Sequence, residues 1–268
     1  MSRIAETFTK LKQEGRTAFI PYVTIGFPEL GVTEELVPAL VEAGADLVEL
    51  GIPFSDPIAE GPTIQRASFT ALENGVTLQH CFETARAIRA KVSVPLLFMG
   101  YYNSVFSYGV ERFVNEAAAA GIDGLILPDL PLEEAGEVLE PCKKAGLDLI
   151  FFVAPTSTEA RIKQVAELAT GFIYCVSLTG VTGARTTLSD ALPELLSQIR
   201  RYTTTPIAVG FGISRPEHFV AVSKLAEAGI VGSALLDVIE KVPPATRIEA
   251  AAEFVRGTIG GRIRHPQG

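Results

Sequence analysis

Short, nearly unbroken hydrophobic runs alternate with amphipathic stretches along the whole chain, and the joints between them repeat. Four helical stretches end in Ala-Gly, at Ala43-Gly44, Ala120-Gly121, Ala145-Gly146 and Ala228-Gly229. Each leads at once into a β-rich run, over 46–50, 124–127, 149–153 and 230–232. Glycine adopts the left-handed conformation that closes a helix, so each marks a stop. The runs show little polar alternation, as expected of parallel strands covered on both faces. Four more strands are predicted over 19–25, 96–101, 172–177 and 207–212. Pro95 and Pro206 stand just ahead of two of them, where a missing N–H costs little. Between the strands lie amphipathic stretches such as 134–144 and 159–168. Strand–helix alternation with right-handed crossovers gives a parallel α/β fold. Eight strands without a Gly-x-Gly-x-x-Gly opening favour a closed (β/α)8 barrel of the TIM type over a doubly wound sheet. Residues 3–13 read as an extra N-terminal helix that could cap the bottom of the barrel. No linker, low-complexity segment or shift of composition divides residues 1–268, so one domain is expected.

Composition agrees with that picture and removes several function classes. The 268 residues, 47% hydrophobic, suffice for a barrel, which takes about 250. Fifteen Phe and no Trp suggest an aliphatic and phenylalanine-packed interior. A net charge of −8 argues against nucleic acid, which calls for a basic face. The one basic cluster, Arg256, Arg262 and Arg264, reads as a solvated terminus. Cys81, Cys142 and Cys175 are odd in number and without a CxxC neighbour, so neither a disulfide framework nor a thiol metal site is expected. Cys142 and Cys175 read as small core residues. His80, His218 and His265 lack metal-ligand spacing, and His218 reads as a surface or core residue of a helix. The N-terminus lacks the apolar core of a signal peptide, and no apolar run approaches the roughly 18 residues of a membrane span. A reduced, soluble, cytoplasmic protein without a metal is the expectation.

In a barrel of this kind, functional groups collect at the C-terminal ends of the strands and in the loops that follow. The second strand carries Glu49 within a hydrophobic run. An acid buried there is costly to ionise, and burial raises its pKa toward neutrality, where it suits proton transfer. A salt bridge, or a side chain pointing outward between barrel and helix, is the alternative. The loop that follows, 51–65, is long for a compact domain, stiffened by prolines, and carries Asp56 and Glu60. Its length suggests a lid or a contact surface, although a plain structural loop would also accommodate Asp56. The loop 178–187 after the sixth strand is rich in small residues that would permit closure over a substrate. Val209-Gly210-Phe211-Gly212-Ile213-Ser214 and Val231-Gly232-Ser233-Ala234 end the last two strands. Backbone N–H groups and a short helix N-terminus there would suit a phosphate. The residues alone therefore lead to a barrel enzyme acting on a phosphorylated, partly apolar metabolite.

Several runs go further. Phe19-Ile20-Pro21-Tyr22-Val23-Thr24-Ile25-Gly26-Phe27-Pro28 and Glu49-Leu50-Gly51-Ile52-Pro53-Phe54-Ser55-Asp56-Pro57 resemble those of tryptophan synthase alpha chains. Tyr101-Tyr102-Asn103, Pro128-Asp129-Leu130-Pro131, Gly180-Val181-Thr182-Gly183 and Gly210-Phe211-Gly212-Ile213-Ser214 resemble the same family, in the same order along the chain. The resemblance implies a carbon–carbon lyase that splits indole-3-glycerol phosphate into indole and glyceraldehyde 3-phosphate by retro-aldol cleavage, in tryptophan biosynthesis. It implies Glu49 as general acid–base and the acid at position 60 as partner of the indole N–H. Tyr22, Tyr101, Ile126 and Phe211 would line the pocket, with Tyr174 near Glu49. Thr182 would bond the acid at 60 on closure. Phosphate would lie against Gly183, Gly212, Gly232 and Ser233. The loop over 53–60, with Pro53 and Asp56, would touch a beta chain in an α2β2 tetramer, and Asp56 would signal across that contact. Pyridoxal phosphate is implied for the beta chain alone, and no cofactor for this one.

One position departs from the family pattern: Glu60 stands where Asp is usual. Glu keeps the carboxylate but adds a methylene, and a misplacement of about 1 Å can cost roughly a hundredfold in rate. Three explanations stand: a compensating backbone, a slower enzyme that leans on its beta chain, or drift toward a free-standing indole-releasing lyase. An inactive barrel that activates a beta chain is the non-catalytic rival. A phosphate-binding isomerase barrel is the enzymatic one, but it would call for a Cys, Asp or Lys at strand ends that do not hold one here.

Overall fold

The computed structural model describes residues 1–176, 191–210 and 212–260. Eight parallel strands, β1 (Ala18–Thr24), β2 (Val48–Gly51), β3 (Leu96–Met99), β4 (Gly124–Ile126), β5 (Asp148–Val153), β6 (Ile173–Val176), β7 (Ile207–Gly210) and β8 (Ala228–Val231), close into a barrel in sequence order. The circle shuts where Ala18 pairs with Ala228 and Pro21 with Val231. Nearly every strand residue is buried, because the barrel interior covers one face and the helices the other. The single barrel expected from the hydrophobic rhythm is the observed architecture.

The expected extra helix runs over Arg3–Gln13 and closes the N-terminal end of the barrel. Ile4, Phe8 and Leu11, spaced to lie along one helical face, are buried, and Phe8 packs against Phe172 just ahead of β6. Ser2 caps the helix by accepting from the Ala5 N–H and donates to Asp148 at the foot of β5. Arg3 reaches Asp123 at the foot of β4.

The Ala-Gly pattern holds at three of its four occurrences. Gly44, Gly121 and Gly146 take positive φ between a helix and a strand. Gly229 does not: Ala228 and Gly229 lie inside β8, and the preceding helix, Pro216–Ser223, has already ended. Glycine is needed there for space, since a Cβ would stand 2.8 Å from the Phe219 ring. Two further boundaries move. β3 ends at Met99, and Tyr101 caps a helix over Tyr102–Tyr108. The loop after β2 ends at Gly61, because Pro62 opens the helix Pro62–Glu73, the first position at which proline lacks nothing the helix needs.

The foot of the barrel repeats one device at every second strand. Just ahead of β2, β4, β6 and β8, a side-chain oxygen accepts from the first N–H groups of the strand before. Asp46 takes the N–H of Phe19, Asp123 that of Leu96, Thr170 that of Leu149 and Glu227 that of Ile207, all at 2.9–3.0 Å. The three acids also hold arginines: Arg16 on Asp46, Arg89 and Arg3 on Asp123, Arg200 on Glu227.

Candidate active site

At the opposite end, the register places Tyr22 of β1 beside Glu49 of β2, and Glu49 beside Leu97 of β3. Glu49 is fully buried, and neither carboxylate oxygen has a hydrogen-bond partner among the described residues. The salt-bridge alternative is therefore not the observed one. Burial alone pushes its pKa up to about 8, so the carboxyl carries its proton at neutral pH.

Two tyrosines occupy the interior near it. Tyr22 lies over Gly51, and Tyr174 over Gly210; a Cβ at either glycine would overlap the tyrosine ring. These two strand glycines were not singled out in the sequence, yet they leave the room in which the rings lie. Tyr174 also stands against Phe152, ring centroids 4.7 Å apart, and Thr24 donates its hydroxyl to Tyr22 at 3.3 Å. Burial holds both phenols above their ordinary range, and the charges of Glu49 and Glu60 add to it. Those shared influences bring the two acids into one neighbourhood.

Glu60 hangs over the mouth from the loop after β2. Tyr101 donates its hydroxyl to the Glu60 carboxylate and accepts the Ala59 N–H at 2.8 Å, clasping the loop from both sides. The Tyr101 ring stacks on Phe54 at 4.7 Å, and Gln65 donates to the carbonyls of Glu60 and Pro57. Burial raises the pKa of Glu60, and the Tyr101 hydrogen bond works against that rise. Phe54 and Gln65, not foreseen in the sequence, anchor the loop. Asp129, in the Pro128-Asp129-Leu130-Pro131 run, accepts the Tyr102 N–H at 2.7 Å and adds its charge to the field at Glu60.

The remaining predicted residues divide. Ile126 is buried at the top of β4, in register with Met99 and Ile150. Gly232 is the N-cap of the helix Ser233–Lys241, and Ser233 is its exposed first residue, so both stand at an N-terminus that faces the strand ends. Ile64 lies against Gly232 beside Tyr22 and was also missed. Gly212 is exposed with φ +92°, a conformation that favours glycine. The neighbouring Ser214 N–H donates to His218 Nδ1 at 3.3 Å, which gives that histidine a role in holding the turn. Asp56 is exposed and accepts from Ser55, whereas Pro53 is buried at the base of the loop. Thr182, Gly183 and Phe211 lie outside the described residues. Among the described residues no cluster of His, Cys, Asp or Glu could hold a metal ion, all three cysteines are buried, and no helix is long and apolar enough to cross a membrane.

A family model described as tryptophan synthase alpha chain matches residues 8–258. A tryptophan synthase alpha chain from Chloroflexus aurantiacus is 55% identical over 265 residues, 98% of this chain and all of the relative. One from Geobacter sulfurreducens is 47% identical over 255 residues, 95% of this chain and 97% of the relative. Among solved structures, the alpha subunit from Legionella pneumophila superposes with a TM-score of 0.88 at 37% identity, covering 97% of this chain and 98% of that one. A chain of M. tuberculosis tryptophan synthase in an aminoacrylate-bound form gives 0.88 at 32% identity, covering 97% and 99%.

Proposed function

The chain belongs to the tryptophan synthase alpha-chain family, the lyases that cleave indole-3-glycerol phosphate, and we propose that Glu49 and Glu60 divide the chemistry of that cleavage. The observation that carries the proposal is the Glu49 carboxyl, fully buried and without a hydrogen-bond partner among the described residues, where burial raises its pKa to about 8. Glu49 gives its proton to indole C3, which places a positive charge on the ring nitrogen. Glu60, ionised, accepts the N–H hydrogen bond and stabilises that charge. The Glu49 carboxylate then takes the proton of the hydroxyl on the side-chain carbon attached to C3. The C–C bond breaks, its electron pair restores the indole ring, and the side-chain carbon becomes the aldehyde of glyceraldehyde 3-phosphate. Glu49 ends protonated, so each turnover returns the site to its start.

Tyr22, Tyr101, Ile126, Tyr174 and Phe211 enclose the apolar ring in this reading. The phosphate rests on Gly183, Gly212, Gly232 and Ser233, and Thr182 bonds Glu60 on closure. Neither a metal nor an organic cofactor takes part in this chain. Pyridoxal phosphate serves the beta chain, and two alpha chains join two beta chains in an α2β2 tetramer in the cytoplasm. Asp56, exposed on the loop that carries Glu60, is the signalling residue at that contact, with Pro53 at the loop's base. The longer side chain at position 60 is supported as a working replacement by Tyr101, which receives the extended carboxylate.

The test follows indole release from indole-3-glycerol phosphate by the chain alone and with a tryptophan synthase beta chain. Slow release that rises strongly with the partner, and a loss of at least about a thousandfold in Glu49→Gln, are expected for a general acid–base. Fast release without partner would indicate a free-standing lyase. No release in either condition would leave the chain as an activator. Substantial turnover by Glu49→Gln would remove Glu49 from its role.

A further inference from the structure

A cavity assembled from described residues lies at the other end of the barrel, away from the residues assigned to the cleavage. It measures about 570 Å³ and opens between the helix Arg3–Gln13 and the feet of β6, β7, β8 and β1. That is within the range of small-molecule sites, roughly 300–1,000 Å³. The helix seals the β4 and β5 side through Arg3 and Ser2, and its face carrying Ala5, Phe8, Leu11 and Lys12 lines the cavity.

The lining combines two characters. Phe8, Leu11, Pro206, Leu225 and Ala226 supply apolar walls. Lys12, Arg16, Arg200 and Lys224 supply cations, against the single carboxylate of Glu227. The arginines are already engaged: Arg16 with Glu14 and Asp46, Arg200 with Glu227. Lys12 and Lys224 form no ion pair among the described residues, and they come from two different elements. In a chain of net charge −8, this rim holds two lysines outside those ion pairs.

We propose that this cavity is a second binding site, for a small organic anion with an apolar body, such as an aromatic carboxylate or sulfonate. The apolar part lies against Phe8, Leu11 and Ala226, and the anionic group meets Lys12 and Lys224 at the rim. Burying the apolar part supplies most of the affinity, while the lysines select the charge. A bound anion would brace the N-terminal helix against the barrel and so raise the melting temperature.

The probe is 8-anilinonaphthalene-1-sulfonate, with uncharged N-phenyl-1-naphthylamine as comparison, on the full chain saturated with glycerol phosphate to occupy the catalytic end. Expected are one dye per chain, a rise in melting temperature, and affinity that falls with salt. Lys12→Glu with Lys224→Glu should weaken the sulfonate roughly tenfold and the uncharged dye little. Ala5→Trp, which fills the cavity from the helix, should abolish binding of both. All these variants should release indole at the wild-type rate and unfold cooperatively. Sulfonate binding that survives both variants, or equal binding of the uncharged dye, would overturn the proposal. So would Ala5→Trp altering the oligomeric state without changing dye binding, since the occupant would then be a second copy of the chain.

Discussion

The two ends of this barrel treat buried carboxylates in opposite ways. At the foot, Asp123 is 8% exposed yet satisfied on all sides: Leu96 N–H and Arg89 on one oxygen, Arg3 on the other. At the mouth, Glu49 is wholly buried and has no hydrogen-bond partner among the described residues. Burial raises both pKa values, but at Asp123 the N–H of Leu96 and two arginines pull against it, while at Glu49 burial is unopposed. Paired acids fasten strands and crossovers together; an acid buried without compensation keeps its proton to higher pH. The difference shows that burial by itself does not make a carboxyl functional. What decides is whether the surroundings compensate the charge.

The sharpest way to break this comparison is to remove the cost at Glu49. The folded chain holds that proton up to about pH 8, whereas the ordinary value is 4.5. The folded state therefore binds the extra proton between these values, and the resulting stability is whole below 4.5 and fades as pH rises through 8. At about 1.4 kcal/mol per pKa unit, the change over that window amounts to several kcal/mol. Glu49→Gln should lack this slope and melt well above the wild type at pH 9, while losing the cleavage proposed to depend on Glu49. Parallel melting curves for the two proteins from pH 6 to pH 9 would contradict the isolated-carboxyl reading.

The mirror experiment is Asp123→Ala. It leaves Arg89 and the Leu96 N–H without their partner, and breaking a buried pair costs about 3–5 kcal/mol, with the lower end expected because Arg3 is half exposed. Denaturant unfolding should show that loss while indole release at 25 °C stays within about twofold, since the site lies at the other end. A loss of activity as large as that of Glu49→Gln would erase the division between the ends.

The smallest expected effect lies at position 60. Glu60→Asp draws the carboxylate back from Tyr101, so kcat should fall several-fold, with Tyr101→Phe causing a comparable fall. Tyr101→Phe should also move the acid limb of kcat/KM to higher pH, because the hydrogen bond it removes lowers the Glu60 pKa. A several-fold rise in kcat for Glu60→Asp would mean that Tyr101 does not compensate for the extra methylene.

Much of this was legible along the chain. The unbroken hydrophobic runs and helix-closing glycines located all eight strands within about two residues, because a fully covered parallel strand has no polar face to interrupt it. Glu49 stood out for the same reason. The device at the foot was half written: Ala-Gly-x-Asp occurs at 43–46, 120–123 and 145–148, but the aspartate two residues after each glycine went unread. Asp46 and Asp123 turn out to hold the preceding strand, and Asp148 the N-terminal cap. Gly229 was misread as a helix stop, although Val231 stands where the other three Ala-Gly pairs are followed by aspartate.

What the sequence determined by itself is therefore the periodic part: strand, helix, turn and the order of the barrel, all set by neighbours within a few residues. What only the tertiary structure decided is compensation. Glu49 and Asp123 are both acids beside hydrophobic strands, and nothing within a few residues of either predicts its partners. Closing the barrel brings Arg3, from 120 positions away, onto Asp123 and leaves Glu49 among the buried interior residues. Electrostatic energy depends on distance in space and on the water excluded, and neither quantity exists until the circle is shut.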